Sequence, residues 1–500
     1  MLADSAVEGF APLLEVGVAP TPVEEAPARP AEQDIYQMLW QRDEYRAVAP
    51  GELIANEFLV QAKPAPGSTC IDFGCGTGRG ALNLALFGGL NVTMLDFTTN
   101  CLDADILPCL ETQAHAFRFQ QADITKDIPV SAQYGYCTDV MEHIRPEDVD
   151  RTLDNILRAA QHVFFQISME DDVCGALVGH PLHLSVHPFS WWLKKFQDRE
   201  CMIHWSKDCG SHALFYVSAW VNAADIVKVG ILNISEDVVK ENVRTNIREG
   251  WRQVQPYETN DFEAMIVGGG PSLAHQLDKI RELRQNGVKL ITLNGAYNWA
   301  LDNGLEPSAT VVVDARAFNA RFTHHERDVE LASQTKYLIA SQCDPSVLAG
   351  LPKDRTLLWH TTAETIRDVL DEEYGEDGIW YGIPGGSTVL LRAIPLMRML
   401  GYRKFHLFGC DSCAMTVDGK PAHHAYSQAE NDNEFLMPVT VGSQMFSCTT
   451  WHTSQAQEFM DLITVFGDEI ELEVYGEGLL AYILKHAADL ADKERLFTMA

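Results

Sequence analysis

Twice along the chain a β-rich run ends in a glycine-rich turn that opens a helix. The first is Ser68-Thr69-Cys70-Ile71-Asp72-Phe73 running into Gly74-Cys75-Gly76-Thr77-Gly78, and the second is Ala264-Met265-Ile266-Val267 running into Gly268-Gly269-Gly270-Pro271-Ser272. Glycine lets the backbone turn sharply and approach a ligand closely, and the helix behind it presents free N–H groups. After each opening, short strand-like runs alternate with helical ones, from Thr69 to about Trp220 and from Ala264 to about Phe408. That alternation predicts parallel sheets with helices on both faces. The expected fold class is therefore α/β, with two Rossmann-like, doubly wound domains over residues 35–222 and 262–500. Residues 223–261 are polar, mostly helical in pattern and without a clear strand, and are expected to connect the halves. Residues 1–34 carry five prolines, seven acids and one base, too little apolar surface to offset ordering entropy, and are expected to form a disordered acidic tail.

Charge narrows the function. Lys plus Arg number 38 and Asp plus Glu 70, a formal net charge of −32. Nucleic-acid binding rests on basic patches that release counterions, so no nucleic acid is expected as a partner. Twelve cysteines in 500 residues are too sparse for a disulfide scaffold. The first residues lack the basic and apolar regions of a secretory leader. No apolar run reaches the ~18–20 residues of a membrane helix. A cytoplasmic protein without a membrane span is expected, and an oligomer is left open.

At the first opening, Asp72 and the glycines Gly74, Gly76 and Gly78 shape the turn. Asp96 ends the next strand, where an acid accepts both hydroxyls of a ribose. Asp123 follows a third strand and suits an adenine amino group, while Asp139, Glu142 and His143 (DVMEHI) reach the carboxyl edge of a fourth. IDFGCGTGRG, Asp96, QADI and DVMEHI together resemble the class I S-adenosylmethionine (SAM) methyltransferases of the small-molecule type, over about residues 35–222. The resemblance implies SAM as methyl donor. The chain has Thr138-Asp139-Val140-Met141 where amino-directed DNA methyltransferases carry an N/D-P-P-Y/F tetrad, and no Pro-Cys nucleophile replaces it. The expected acceptor is a small molecule or glycan, with His143, His183 and His187 as candidate bases. Some quinone O-methyltransferases of this type imply instead that Glu142 and His143 hold a divalent ion. Trp191 and Trp192 are expected to pack in a core or lid.

At the second opening, three glycines, Pro271 and Ser272 make an anion cradle at a helix start, without the Gly-Lys-Ser/Thr of a Walker loop. Asn294 ends the next strand and suits a phosphate or pyrimidine. Asp314 and Arg316 follow the third strand, Gly386 and Ser387 open another glycine-led helix, and Asp411 ends a later strand. GGGPSL, LNGA, VVVDAR, IPGGST and LFGCDS resemble the family that joins the MptE-like 6-hydroxymethylpterin diphosphokinases with the Maf flagellin glycosyltransferases. The opening is also similar to that of the bacterial sialyltransferases that use CMP-sugars, which implies His452 as base, with His423-His424 competing. Two mechanisms stay open. In a glycosyl transfer, Ser272, Asn294 and the Gly268, Gly269 and Gly270 turn hold the nucleotide phosphate. In a diphosphokinase, Asp314 and Asp411 hold Mg²⁺ on ATP and Arg316 neutralises charge. Both make the protein a bifunctional transferase; the rival is a non-catalytic scaffold that keeps both folds and a bound nucleotide. Cys410 and Cys413 are given no redox or zinc role. The acidic run from Asp468 to Glu477 reads as a solvated strand face.

Overall fold

A computed structural model describes residues 31–112, 117–218, 234–375, 378–417, 420–422, 436–490 and 498–499. Most of the expected tail, residues 223–233 of the expected connector, and His423-His424 lie outside them. The first described helix, Glu32–Leu39, begins within the expected tail and buries Ile35, Tyr36 and Leu39.

The first half is one seven-stranded sheet: β1 (Thr69–Phe73), β2 (Asn91–Asp96), β3 (Arg118–Gln121), β4 (Ala132–Thr138), β5 (Ala160–Ser168), β6 (Met202–Asp208) and β7 (His212–Ser218), in the order β3-β2-β1-β4-β5-β7-β6. Strands β1 to β5 are parallel, and β7 runs antiparallel between β5 and β6. The central strands carry the β-branched and aromatic runs read from the sequence because helices bury both their faces. Strand order reverses between β1 and β4. The turns leaving them diverge, and a crevice opens at their carboxyl ends.

The second half has strands β8 (Arg252–Gln253), β9 (Glu263–Val267), β10 (Lys289–Leu293), β11 (Ala309–Val312), β12 (Lys336–Ala340), β13 (Thr356–Thr361), β14 (Gly382–Ile383) and β15 (Lys404–Phe408). Two small ribbons follow, β16 with β17 (Met415–Val417, Lys420–Ala422) and β18 with β19 (Met437–Val441, Gln444–Cys448), and then β20 (Glu471–Val474). The main sheet is parallel in the order β14-β13-β12-β11-β10-β9-β15-β20, with β8 on β13. Its reversal lies between β9 and β15.

The expected connector is part of this second half. Helix Glu236–Arg248 buries Val239 and Val243, its Asn242 and Asn246 side chains donate to the carbonyls of Ala315, Gln342, Ser341 and Cys343, and β8 joins the sheet. The halves are also not separate cores. One contiguous apolar cluster runs from Phe165, Phe196, Met202 and Phe215 in the first half to Leu390, Ile394, Leu396 and Phe459 in the second. None of the described helices is long and apolar enough to cross a membrane.

Candidate functional site

The crevice of the first sheet is a cavity of about 720 Å³. Asp72, Gly74, Gly76, Asp96, Asp123, Asp139 and His143 all line it. Gly74 and Gly76 have left-handed backbones, and a Cβ there would meet Val140 and the Trp40 ring. Gly78 has the same hand, but a Cβ would press on Leu102, Ile106 and Met94, so it seats the helix on the core rather than facing the cavity.

Asp96 is buried at the end of β2, its carboxylate accepting from the Gly76 N–H (3.2 Å) and from the Thr98 N–H and hydroxyl (2.9 and 2.7 Å). Burial outweighs these bonds and raises its pKa. Asp72 is pushed up to about 7 by burial and by the neighbouring Asp96 charge. A cationic, hydrogen-donating ligand relieves both. Asp123 is half-exposed; its partial burial is outweighed by hydrogen bonds from Thr125 and Lys126, which hold it below the usual range.

At the other wall, Asp139 adopts a left-handed backbone rare for a residue with a side chain (φ 58°). His143 Nδ1 lies 2.7 Å from the Tyr36 hydroxyl and 3.2 Å from the Leu182 carbonyl, and its Nε2 is 3.9 Å from Asp139 Oδ2. The Leu182 carbonyl only accepts, which favours the tautomer with the proton on Nδ1 and leaves Nε2 free to take one. Burial disfavours the imidazolium, yet Asp139 and Glu142 raise the His143 pKa overall. Glu142 is fully buried, accepts from the Ser168 N–H at 2.7 Å, and has its second oxygen without a partner. Burial and Asp139 push its pKa up to about 8. His183 packs edge-on to His143 with ring centres 4.7 Å apart. Ligand atoms of Asp139, Glu142, His143 and His183 all lie within 4.8 Å of one another, a set able to hold a divalent cation. His187 stands elsewhere, stacked on Trp191 at 3.7 Å, and Trp192 is core.

Tyr36, Trp40 and Tyr45 line the same cavity from the helices ahead of β1.

The second crevice is filled from within. Asp411, beyond β15, accepts the Ser272 N–H at 2.9 Å, and a Cβ at Gly270 would strike its carboxylate. Gly268 and Gly270 donate their N–H groups to the Phe408 and Gly409 carbonyls (2.8 and 2.7 Å), and Gly269 lies between them. At the other glycine-led helix start, Glu458 accepts from the Ser387 N–H and hydroxyl (2.9 and 2.8 Å), and a Cβ at Gly386 would meet it. Both expected anion cradles thus hold one of the chain's own carboxylates.

Asp314 and Arg316 are taken up in an ion pair with each other. Asp314 and Asp411 follow strands separated by two others, roughly 14 Å at ~4.8 Å per strand, so they do not share one Mg²⁺. His452 is buried, and its Nδ1 accepts the Thr449 N–H at 3.1 Å to cap its own helix, Thr450–Phe466. The burial and the cap stand against the expected role as a base. Asn294 has a left-handed backbone (φ 46°), and its side-chain oxygen is buried without a partner.

The methyltransferase-domain family matches residues 70–162. The family of 6-hydroxymethylpterin diphosphokinase MptE-like proteins matches residues 239–416. The chain thus joins a segment similar to a methyltransferase domain to one similar to the MptE-like proteins. Solved structures similar to its first half include the magnesium protoporphyrin IX methyltransferase (ChlM) of Synechocystis PCC 6803 with bound SAH, at 16% identity and a TM-score of 0.29, over 37% of this chain and 93% of that one. A complex of the Haloferax volcanii Trm112 methyltransferase activator with a putative methyltransferase is similar at 14% identity and a TM-score of 0.32, over 38% and 97%. The mitomycin 7-O-methyltransferase MmcR is similar at 18% identity and a TM-score of 0.28, over 37% and 60%. No curated protein matches the sequence.

Proposed function

We propose that the first half transfers a methyl group from SAM to a small molecule or glycan whose nucleophilic hydroxyl or amine loses its proton to His143. The observation that carries this is one cavity lined at one wall by Asp72 and Asp96 and at the other by His143. SAM supplies an electrophilic methyl group on a sulfonium. Asp96 has the position and the acceptor oxygens for a ribose diol, and Asp123 those for an adenine amino group. Asp72 at the glycine turn offers a negative charge to a cationic group. His143 Nε2 takes the acceptor proton, and Asp139 beside it stabilises the imidazolium that forms. The Leu182 carbonyl and the Tyr36 hydroxyl hold the ring in that tautomer. The experiment is calorimetric titration with SAM, followed by incubation with methyl-labelled SAM and cell extract. Label in small molecules or polysaccharide, lost with Asp96→Ala, supports the reading; label in protein alone, or no SAM binding, overturns it.

A second use of the same wall is favoured by the unpartnered buried oxygen of Glu142. With Asp139, His143 and His183 it fits a divalent cation that orients the acceptor oxygen. Dialysis against a chelator, with activity restored by Mg²⁺, Mn²⁺ or Zn²⁺ and not by Na⁺, distinguishes this from unaided base catalysis.

For the second half, a transfer from a CMP-sugar or ATP requires phosphate at turns now held by Asp411 and Glu458. Carboxylates at both cradles favour a non-catalytic role in which the MptE-like fold is kept as a scaffold and, unlike the scaffold expected from the sequence, holds no nucleotide. Titration with CMP and with ATP plus Mg²⁺ tests it: saturable binding returns the half to nucleotide chemistry.

A further inference from the structure

Where the two halves meet, a single carboxylate is shared across the boundary. Glu469, in the turn between helix Thr450–Phe466 and β20, has 1% of its side chain exposed. From its own half, Arg398 donates to it at 2.8 Å. From the other half, His162 on β5 and His204 on β6 bring their Nδ1 atoms to 3.2 and 3.8 Å of its oxygens. The far nitrogen of His204 pairs with the Ser218 hydroxyl on β7 at 2.9 Å. Arg398 also lies over the Tyr216 ring of β7, with 5.8 Å from its guanidinium carbon to the ring centre. Arg403, just before β15, reaches the Gln61 carbonyl of the first half at 3.3 Å and the Arg398 carbonyl at 3.1 Å.

The charges decide what this cluster is for. Burial keeps both imidazoles neutral, His162 pushed down to about 3 and His204 also pushed well down, with the Arg398 charge acting in the same direction. Burial raises the pKa of the Glu469 carboxyl, and the Arg398 guanidinium 2.8 Å away is the cation that pairs with it. His162, His204 and Glu469 have the spacing of a metal site. A divalent cation there would face Arg398 on the same carboxylate and Arg403 close by, three cationic groups against one anion in a dry interior, which the desolvation of charge forbids. The arrangement is a latch in which a buried Arg398–Glu469 ion pair of one half packs against two neutral imidazoles of the other.

We propose that the second half is an obligate folding platform for the methyltransferase half, with Glu469 as the group on which β5, β6 and Arg398 converge. The shared apolar cluster runs through the same boundary, and among the described residues the first half supplies neither an acid nor a cation to the latch. Cutting the chain between the halves would leave Arg398 with Glu469 but open to water both that ion pair and the two imidazoles now buried against it. The role holds whether or not the second half also binds a nucleotide.

Hydrogen exchange on the full-length chain tests this without SAM. In the wild type at low denaturant, amides of β5 to β7 and of helix Val389–Met399 are expected to exchange through one shared opening. Separate openings of the two sets overturn the proposal. Glu469→Gln keeps the shape and removes the charge, leaving Arg398 buried and unpaired. It is expected to shift the folding equilibrium roughly a hundred-fold or more toward unfolding and to speed exchange across β5 to β7 at least tenfold. Faster exchange confined to residues 389–475, with β5 to β7 unchanged, overturns it. If Glu469→Gln does not accumulate as folded protein, the wild-type exchange pattern decides alone.

Discussion

The Tyr36 hydroxyl lies 2.7 Å from Nδ1 of His143, a contact between the first described helix and the loop after β4. It fixes the ring from outside the sheet, on the nitrogen that does not face the acceptor. His143→Ala is therefore expected to lower kcat by roughly 10²–10⁴-fold, the range of a lost general base, with little change in SAM affinity. Tyr36→Phe removes one neutral hydrogen bond, worth about 0.5–1.5 kcal/mol, and is expected to lower kcat by about 2–10-fold. Steady-state kinetics beside SAM calorimetry read both. A Tyr36→Phe enzyme as slow as His143→Ala would make the phenol, not the imidazole, the principal group.

Asp96 organises the opposite wall. Its carboxylate accepts from Gly76 and Thr98 while keeping its place at the end of β2. Asp96→Ala removes the acceptor proposed for a ribose diol and strands three buried donors. Hydrogen bonds to a charged group are worth about 1.5–3 kcal/mol each. SAM affinity is expected to fall at least a hundred-fold by calorimetry, with the fold retained by circular dichroism. Asp96→Asn, which keeps one acceptor oxygen, should fall between.

The turn glycines and the strand-end acids were readable because each belongs to a local pattern: a strand, a turn and a helix start within a dozen residues. Asp72, Asp96, Asp123, Asp139 and His143 reach one cavity for that reason, since parallel strands bring their carboxyl ends together. Tyr36 was not readable. It meets His143 only through the path of a helix that no motif ties to β4. Asp411 was misread and Glu458 missed for a related reason, because sequence marks a cradle but not which distant carboxylate settles into it. His452 did carry a signal: Thr449 three residues ahead of it has the spacing of a helix-capping pair. Glu469 inverts its neighbourhood, for it is buried within an acidic run whose other members read as a solvated face.

Asp72 gives the apoprotein a pH dependence of definite sign. Its folded pKa of about 7 lies above the usual 3.8. Between those values the folded chain holds a proton that the unfolded chain has released, so stability falls as pH rises from about 4 to about 7. The full effect is roughly 4 kcal/mol at 1.36 kcal/mol per pKa unit. Urea unfolding at a series of pH values should show that slope, and Asp72→Asn should flatten it. A cationic ligand reverses the preference. SAM affinity is expected to rise through the same window, with proton release on binding below pH 7 detectable as a buffer-dependent heat.

The second half makes the opposite demand on its acids. Asp411 accepts the Ser272 N–H and Glu458 accepts from Ser387, so a phosphate approaching either turn meets a negative charge already seated on the donors it needs. Two like charges about 4 Å apart repel by about 1 kcal/mol even in bulk water and by about 4 kcal/mol at an effective dielectric of 20. CMP, and ATP with Mg²⁺, are accordingly expected to show no saturable binding below millimolar concentration in the wild type. Asp411→Asn removes the charge while keeping an acceptor for the Ser272 N–H. If repulsion is what bars the site, that variant should gain at least tenfold in affinity for CMP or ATP, read by calorimetry against Glu458→Gln in parallel. Micromolar nucleotide binding in the wild type, lost in Asp411→Asn, would instead make Asp411 a ligand-binding acid and the MptE-like half an active transferase.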